Sequence, residues 1–211
     1  MQQISAQKSL LGQTWKLRPQ DPGLNIIQNI LKNRGLVDPE KINCFFNPNA
    51  KKGFHNPFLM KDMDRAVERL NRAIKDQERI IIFGDYDVDG ISGTAILYNA
   101  LKLCGANLSY RLPHRINDGY GLNIKFIEEF KEKDIKLLLT VDCGISCRDQ
   151  ISRAAEYGID VIITDHHTIP AEIPDKAYAI LHPKQPDCPY PFKGLTGAGV
   201  AYKLASALIT D

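Results

Sequence analysis

The sequence predicts an α/β protein: an open, mainly parallel sheet with helices on both faces, preceded by a small helical N-terminal extension. Three observations predict it. Five short runs, at 80–83, 108–112, 137–141, 161–164 and 177–181, are near-continuously apolar rather than alternating, as expected of parallel strands covered on both faces. Helical patterns at 94–103, 123–133 and 148–157 lie between runs, and a last one at 199–209 follows them. Acids and histidines gather just after the runs, at the carboxyl ends where open α/β sheets place their ligands.

Taken in order, Leu24, Ile26, Ile27, Ile30, Leu31 and Leu36 predict an amphipathic helix that stops near Asn33-Arg34-Gly35. The stretch 47–57, rich in Asn, Pro, Lys and Gly, reads as a linker or loop. After it Met60, Met63, Ala66, Val67, Leu70, Ala73 and Ile74 recur every three or four positions, the stripe of a helix lying on a sheet. Strands and helices alternate from there on. The expected division is therefore an extension at 1–58 and a catalytic domain at 59–211, cut short at its C-terminal end, since the chain stops inside a helical pattern.

The 211 residues suffice for one good core with a small appendage, and 44% hydrophobic with 25% charged residues describes an ordinary globular protein. No apolar run approaches the ~20 residues of a membrane helix, and the first residues lack the order of a signal peptide. Five scattered cysteines suit reduced thiols, so the expected location is cytoplasmic, with no membrane partner. A net charge of +2 excludes whole-molecule attraction to nucleic acid and leaves only a local basic patch for a polyanion. Oligomeric state is not legible.

Residues 84–90 read Gly-Asp-Tyr-Asp-Val-Asp-Gly, which crowds Asp85, Asp87 and Asp89 into the turn where a buried strand ends. Two carboxylates about 5 Å apart repel by roughly 3 kcal/mol at an effective dielectric of about 20. A divalent cation reverses that sign. Asp142 follows the run 137–141, and Asp165-His166-His167 follows 161–164, so three strand ends bring acids and imidazoles to one edge. Oxygen donors suit magnesium or manganese, and an added imidazole shifts the preference toward manganese. Asp85, Asp87 and Asp89 alternate along the turn and cannot all face one ion; two ions, or one ion plus a shared bridge, fit better, and Asp142, from a different strand, is a reasonable bridge. Two cations about 3.5–4 Å apart activate a water and stabilise charge on a phosphoryl group, which makes phosphate-ester hydrolysis the natural reaction. The competing readings of the turn are a solvated acidic loop and a calcium loop, the latter out of place between a strand and a helix.

At a strand end consecutive residues point in different directions. One of His166 and His167 can bind metal while the other reaches the substrate, with Asp165 fixing a ring from behind; a surface histidine beside a strand cap is the plain alternative. In the loop at 111–122, Arg115 can clamp a phosphate and Tyr120 can stack on a base, or the loop is simply well built around a solvated arginine. Gly197 and Gly199 open the last helix and either offer amides to a substrate phosphate or let helix and strand pack closely. Cys143 and Cys147, with the histidines downstream, permit a zinc site, but no second cysteine pair accompanies them.

The motifs GDYDVDG, VDCG, TDHH and GAGVAYK, in this order, resemble those of the DHH phosphoesterase superfamily. Within it, NPFLMKDMDRAVERL, LPHRINDGYGL and HPKQPDCPYPFKGLTGAGVAYKL look most like the RecJ-type single-strand-specific DNA exonucleases of bacteria. The resemblance implies a 5′ to 3′ exonuclease that removes nucleotides from single-stranded DNA in recombination and repair. It implies Mn2+ or Mg2+, two ions, and a helicase and a single-strand-binding protein as partners. It also implies that Asp85, Asp87, Asp89, Asp142 and His166 are metal ligands or their support, that His167 acts at the phosphate with Asp165 in the same catalytic motif, and that Arg115 contacts DNA. Phe83 departs from the pattern, standing where many relatives carry a histidine. Family members also continue for several hundred residues, with a further acidic ligand and further domains, so the isolated chain is expected to be weakly active or inactive. The alternatives are a DHH phosphodiesterase of short oligonucleotides or cyclic dinucleotides, and a metal-poor replication scaffold, against which the intact acids count.

Overall fold

All five expected strands form, as β1 (Ile80–Gly84), β2 (Leu108–Arg111), β3 (Leu137–Val141), β4 (Asp160–Thr164) and β5 (Ala179–Leu181). They pair in parallel throughout, in the order β2-β1-β3-β4-β5. The structure is a computed structural model that describes residues 8–14, 18–119 and 121–210, and the chain divides into two compact units, Met1–Phe54 and His55–Asp211.

In the first unit the apolar spacing yields α1 (Ile26–Asn33), opened by a reciprocal cap in which Asn25 Oδ1 accepts from the Gln28 amide and Gln28 Oε1 from the Asn25 amide, both at 2.9 Å. The sequence reading passes over α2 (Pro39–Phe46), where the Asp38 carboxylate caps the amides of Glu40 and Lys41 and Pro39 takes the first helical position. A single turn, α3 (Ala50–Gly53), falls in the stretch read as a linker.

The second unit begins at His55. Lys203 Nζ donates to His55 O at 2.9 Å, and the His55 ring stands edge-on to the Tyr190 ring at 5.8 Å, so this segment belongs to the sheet domain. Helices α4 (Met63–Lys75), α5 (Val88–Leu103), α6 (Ile124–Glu132), α7 (Arg148–Glu156) and α8 (Gly197–Thr210) complete it. Successive strand residues face opposite ways. Accordingly Ile80, Ile82, Leu137 and Leu139 pack with α4, α5 and α8, whereas Ile81, Phe83, Leu138 and Ile163 pack with α6 and α7. Phe83 lies against Phe126, ring centroids 5.1 Å apart, fully inside this second core.

From β1 the chain crosses to β2 on one side and returns to β3 on the other. The strand order therefore reverses between β1 and β3, and a crevice opens beyond their carboxyl ends. Helix α5 starts at Val88, not Thr94, because Asp87 Oδ1 caps it, accepting from the amides of Asp89 at 2.9 Å and Gly90 at 3.0 Å. Its glycines are packing positions rather than loop positions. A Cβ on Gly93 would stand 2.6 Å from Val141 Cγ1 and 3.2 Å from Ala198 Cα, so only glycine lets α5 cross the end of β3 and the start of α8 this closely.

Gly93→Ala tests that packing. An unhindered helical glycine gains up to about 1 kcal/mol from this change, but overpacking costs about 1–3 kcal/mol. Urea denaturation is expected to show a net loss of stability; a gain would contradict the close approach.

Candidate metal centre

The three acids expected at strand ends sit side by side as the last rung of the sheet. The amide of Asp85 donates to Val141 O at 3.1 Å, that of Asp142 to Thr164 O at 2.9 Å and that of Asp165 to Leu181 O at 3.2 Å. Each backbone is thus held by the neighbouring strand, and all three residues are buried. Asp142 pays for its place locally: its φ of 59° is left-handed, uncommon for a non-glycine residue. The turn beyond it is fixed by Thr140 Oγ1, which donates to Cys143 O at 2.8 Å.

Asp142 belongs to two donor groups. One carboxylate oxygen each from Asp85, Asp87 and Asp142 lie within 4.8 Å of one another, and the same holds for one donor atom each from Asp142, His166 and His167. His166 Nε2 stands 3.1 Å from Asp142 Oδ1. Asp165 stands outside both donor groups and organises the histidines: its Oδ1 accepts from the amides of His166 at 2.7 Å and His167 at 3.1 Å and lies 2.8 Å from His167 Nδ1, while Oδ2 accepts from the Ile145 amide at 3.0 Å.

Asp89 is turned elsewhere. Its two carboxylate oxygens accept from the amides of Gly197 and Ala198, both at 2.7 Å, and so cap α8 from a neighbouring element. It stands outside both donor groups, although its Oδ2 is 3.6 Å from His166 Nε2. The amides of Gly197 and Gly199, expected to face a substrate phosphate, both have partners within the chain. Gly197 gives its amide to Asp89, and Gly199 gives its own to Thr196 Oγ1 at 3.1 Å. Gly197 is needed for space, since a Cβ there would fall 2.6 Å from Asp142 Cγ. Arg115 lies on the loop after β2 with its guanidinium 4.7 Å over the Tyr86 ring, between the first two acids. Tyr120 lies outside the described residues. Cys143 and Cys147 have their thiols directed to Phe83 O and Leu122 O, and neither joins a donor group among the described residues.

Electrostatics mark the same residues. Burial, then the charges of Asp89 and Asp87, push Asp142 up to about 7. Burial also raises Asp85, with Asp87 adding to it against the opposing Tyr86 amide. Burial pulls His167 down, but its hydrogen bond to Asp165 and the charges of Asp165, Asp142 and Asp85 outweigh that and raise it. Asp142 Oδ1 is buried and accepts no hydrogen bond, an acceptor of the kind that proteins otherwise satisfy. A buried, unsatisfied carboxylate oxygen flanked by two carboxylates and two imidazoles fits a divalent cation. Sequence reasoning missed His182, whose Nε2 lies 3.0 Å from His167 O; the signal was there, a histidine following an apolar run just as in the TDHH segment.

Residues 79–210 match the model of the DHH family, N-terminal domain. The single-stranded-DNA-specific exonuclease RecJ of Bacillus subtilis is 42% identical over 88% of this chain and 23% of its own length, and that of Escherichia coli is 34% identical over 99% of this chain and 35% of its own. Among solved structures, exonuclease RecJ bound to manganese superposes with a TM-score of 0.65 at 39% identity, over 72% of this chain and 38% of that one. RecJ of Thermus thermophilus in complex with Mn2+ also gives 0.65, at 32% identity over 85% of this chain and 24% of that one. The chain thus spans between 23% and 35% of the length of these two curated relatives.

The displaced acid predicts a pH dependence of stability. Asp142 ionises at about 7 in the fold against an ordinary 3.8, so its favourable contribution is fully present below about 3.8 and is lost as pH rises through about 7. His167, also raised, acts in the same direction. In urea denaturation with a chelator present, the chain is expected to be less stable at pH 8 than at pH 5. Asp142→Asn should remove about 2 kcal/mol of that slope, part of the roughly 4 kcal/mol that the whole displacement represents. An unchanged slope in the variant would contradict the assignment.

Proposed function

The chain belongs to the DHH family, and on that premise we propose that its second unit is the catalytic part of a metal-dependent 5′ to 3′ exonuclease acting on single-stranded DNA in recombination and repair. The observation that carries the reading is the double membership of Asp142, which makes one buried carboxylate common to two adjacent donor sets. Asp85, Asp87 and Asp142 would hold one ion, and Asp142, His166 and His167 the other. Bound there, Mn2+ or Mg2+ supplies positive charge to phosphoryl oxygens and acidifies a water. Manganese is favoured where imidazole joins the oxygens, and similar proteins of known structure carry it.

The chain's own residues do the rest. Asp165, through Nδ1 of His167, sets the direction of that ring. Arg115 is steadied by the Tyr86 face beneath it and pairs with a phosphate of the incoming strand, its planar fork matching two phosphate oxygens. A strand already freed of its partner offers unpaired bases for aromatic stacking at no cost in base pairing, the role the sequence suggests for Tyr120. The substrate class is supported by the relatives' activity and by the place of Arg115 beside the acidic turn. A cytoplasmic location, a helicase that frees the strand and a single-strand-binding protein that holds it complete the proposal. The first unit serves as an N-terminal extension.

The assay is digestion of 5′-labelled DNA with Mn2+, by the 211-residue chain and by the longer product of its reading frame where that frame continues. Digestion of single strands with duplex spared is the expected result; cleavage of dinucleotides alone would move the assignment to an oligonucleotide phosphodiesterase. Asp87→Ala and Asp142→Ala should each lower kcat by about a thousandfold or more, the several kcal/mol that a metal's charge supplies, with circular dichroism unchanged. Arg115→Ala should raise KM by about tenfold or more with kcat little altered, as for loss of one charged hydrogen-bonded contact.

A further inference from the structure

The turn after β5 plays no part in the chemistry above, yet it is built against the histidine pair. It reads His182-Pro-Lys-Gln and is closed on itself by buried Gln185, whose Nε2 donates to Ile180 O at 2.8 Å. Two of its side chains reach the backbone of the paired histidines. His182 Nε2 lies 3.0 Å from the carbonyl oxygen of His167, and Lys184 Nζ donates to the carbonyl oxygen of His166. A carbonyl oxygen only accepts, so Nε2 of His182 carries the hydrogen. Its Nδ1 accepts from the Lys184 amide at 3.1 Å and so carries the lone pair. One neutral tautomer satisfies both bonds. The ring is fully buried, which leaves water no access to its nitrogens.

The consequence is a backbone held from two sides. Asp165 fixes the amides of His166 and His167, and the His182 turn fixes the carbonyls of the same two residues. The amide of Asp165 itself is tied to Leu181 O. With N–H and C=O both engaged, neither residue can rotate its peptide plane, and the Cα–Cβ directions of the two imidazoles are set before any cation arrives. We propose that His182 and Lys184 are positioning residues that clamp the His166–His167 backbone and so preorganise the imidazole side of the metal centre, with His182 acting through its Nε2–H. The proposal deepens the metal-centre reading and rests on it.

A histidine that merely filled space would be replaced by any side chain of its size, whereas a clamp needs a donor at the position of Nε2. His182→Leu keeps volume and loses the donor; His182→Gln keeps an N–H at similar reach. Mn2+ affinity of the 211-residue chain, from the free-ion signal in electron paramagnetic resonance, is expected to fall about 10–100-fold in His182→Leu and to stay within about threefold of the parent in His182→Gln. In the metal-free chain, long-range proton–nitrogen NMR should show His182 as the Nε2–H tautomer, and His182→Leu should shift the ring resonances of His166 and His167. Parent-like Mn2+ affinity and unshifted rings in His182→Leu would overturn the clamp. If the parent chain itself takes up no Mn2+, the metal-centre reading fails, and the NMR result alone decides the clamp. Should His182→Leu not fold, Lys184→Met, which removes only the tie to His166 O from an exposed position, replaces it, with weakened Mn2+ binding supporting the clamp and unchanged binding opposing it.

Discussion

Three adjacent parallel strands end on aspartates whose amides are hydrogen-bonded into the next strand, and everything at the site depends on that last rung. Neighbouring strands lie about 4.8 Å apart, so acids placed one residue past the ends of adjacent strands arrive with a spacing that ligands of a shared ion also need. The amides of Asp85, Asp142 and Asp165 are committed to Val141, Thr164 and Leu181, which leaves their carboxylates no backbone freedom to move apart. Like charge is therefore concentrated by the sheet itself. The apolar strands and the helices on both faces supply the burial that holds this arrangement against its own repulsion.

Small residues and strained backbone bring the remaining pieces within reach. The left-handed φ of Asp142 costs of order 1–2 kcal/mol and is over-determined by the Thr140 hydroxyl and by Gly144 at φ 111°. Gly197 gives Asp142 room, and Gly90 lies against the backbone of Asp85, whose carbonyl carbon a Cβ would approach to 2.7 Å. Strain, buried acids and close backbone approach all fall on the same few residues, the pattern expected where a fold gives up stability for a site.

The sequence made the sheet legible because buried parallel strands are written as unbroken apolar runs, and made the acids legible because they interrupt those runs at one end. It hid the start of α5, since Gly90 and Gly93 look like loop residues until Val141 and Ala198 are seen against them. It hid α2, whose apolar stripe of Ile42, Phe45 and Phe46 is barely one turn long and whose clearest local signal is the Asp38-Pro39 start. The roles within the acidic turn were out of reach for a different reason. Alternation along the turn says that Asp85, Asp87 and Asp89 diverge, but which of them faces the crevice is decided by α8, more than a hundred positions later in the chain.

That distant helix divides the acids by function. A helix N-terminus presents unpaired amides and a partial positive charge, and Asp89 meets both, so its carboxylate is satisfied inside the protein. Asp142 has no such partner on Oδ1. The two are nevertheless coupled, because the charge of Asp89 is the largest of those that raise Asp142, second only to burial. Capping α8 thus does two things at once: it docks the last helix over the crevice, and it holds a negative charge beside the one carboxylate common to both donor sets. A cation held at Asp142, as we propose, would feel the charge of Asp89, so the docking of α8 would be coupled to the affinity of the centre.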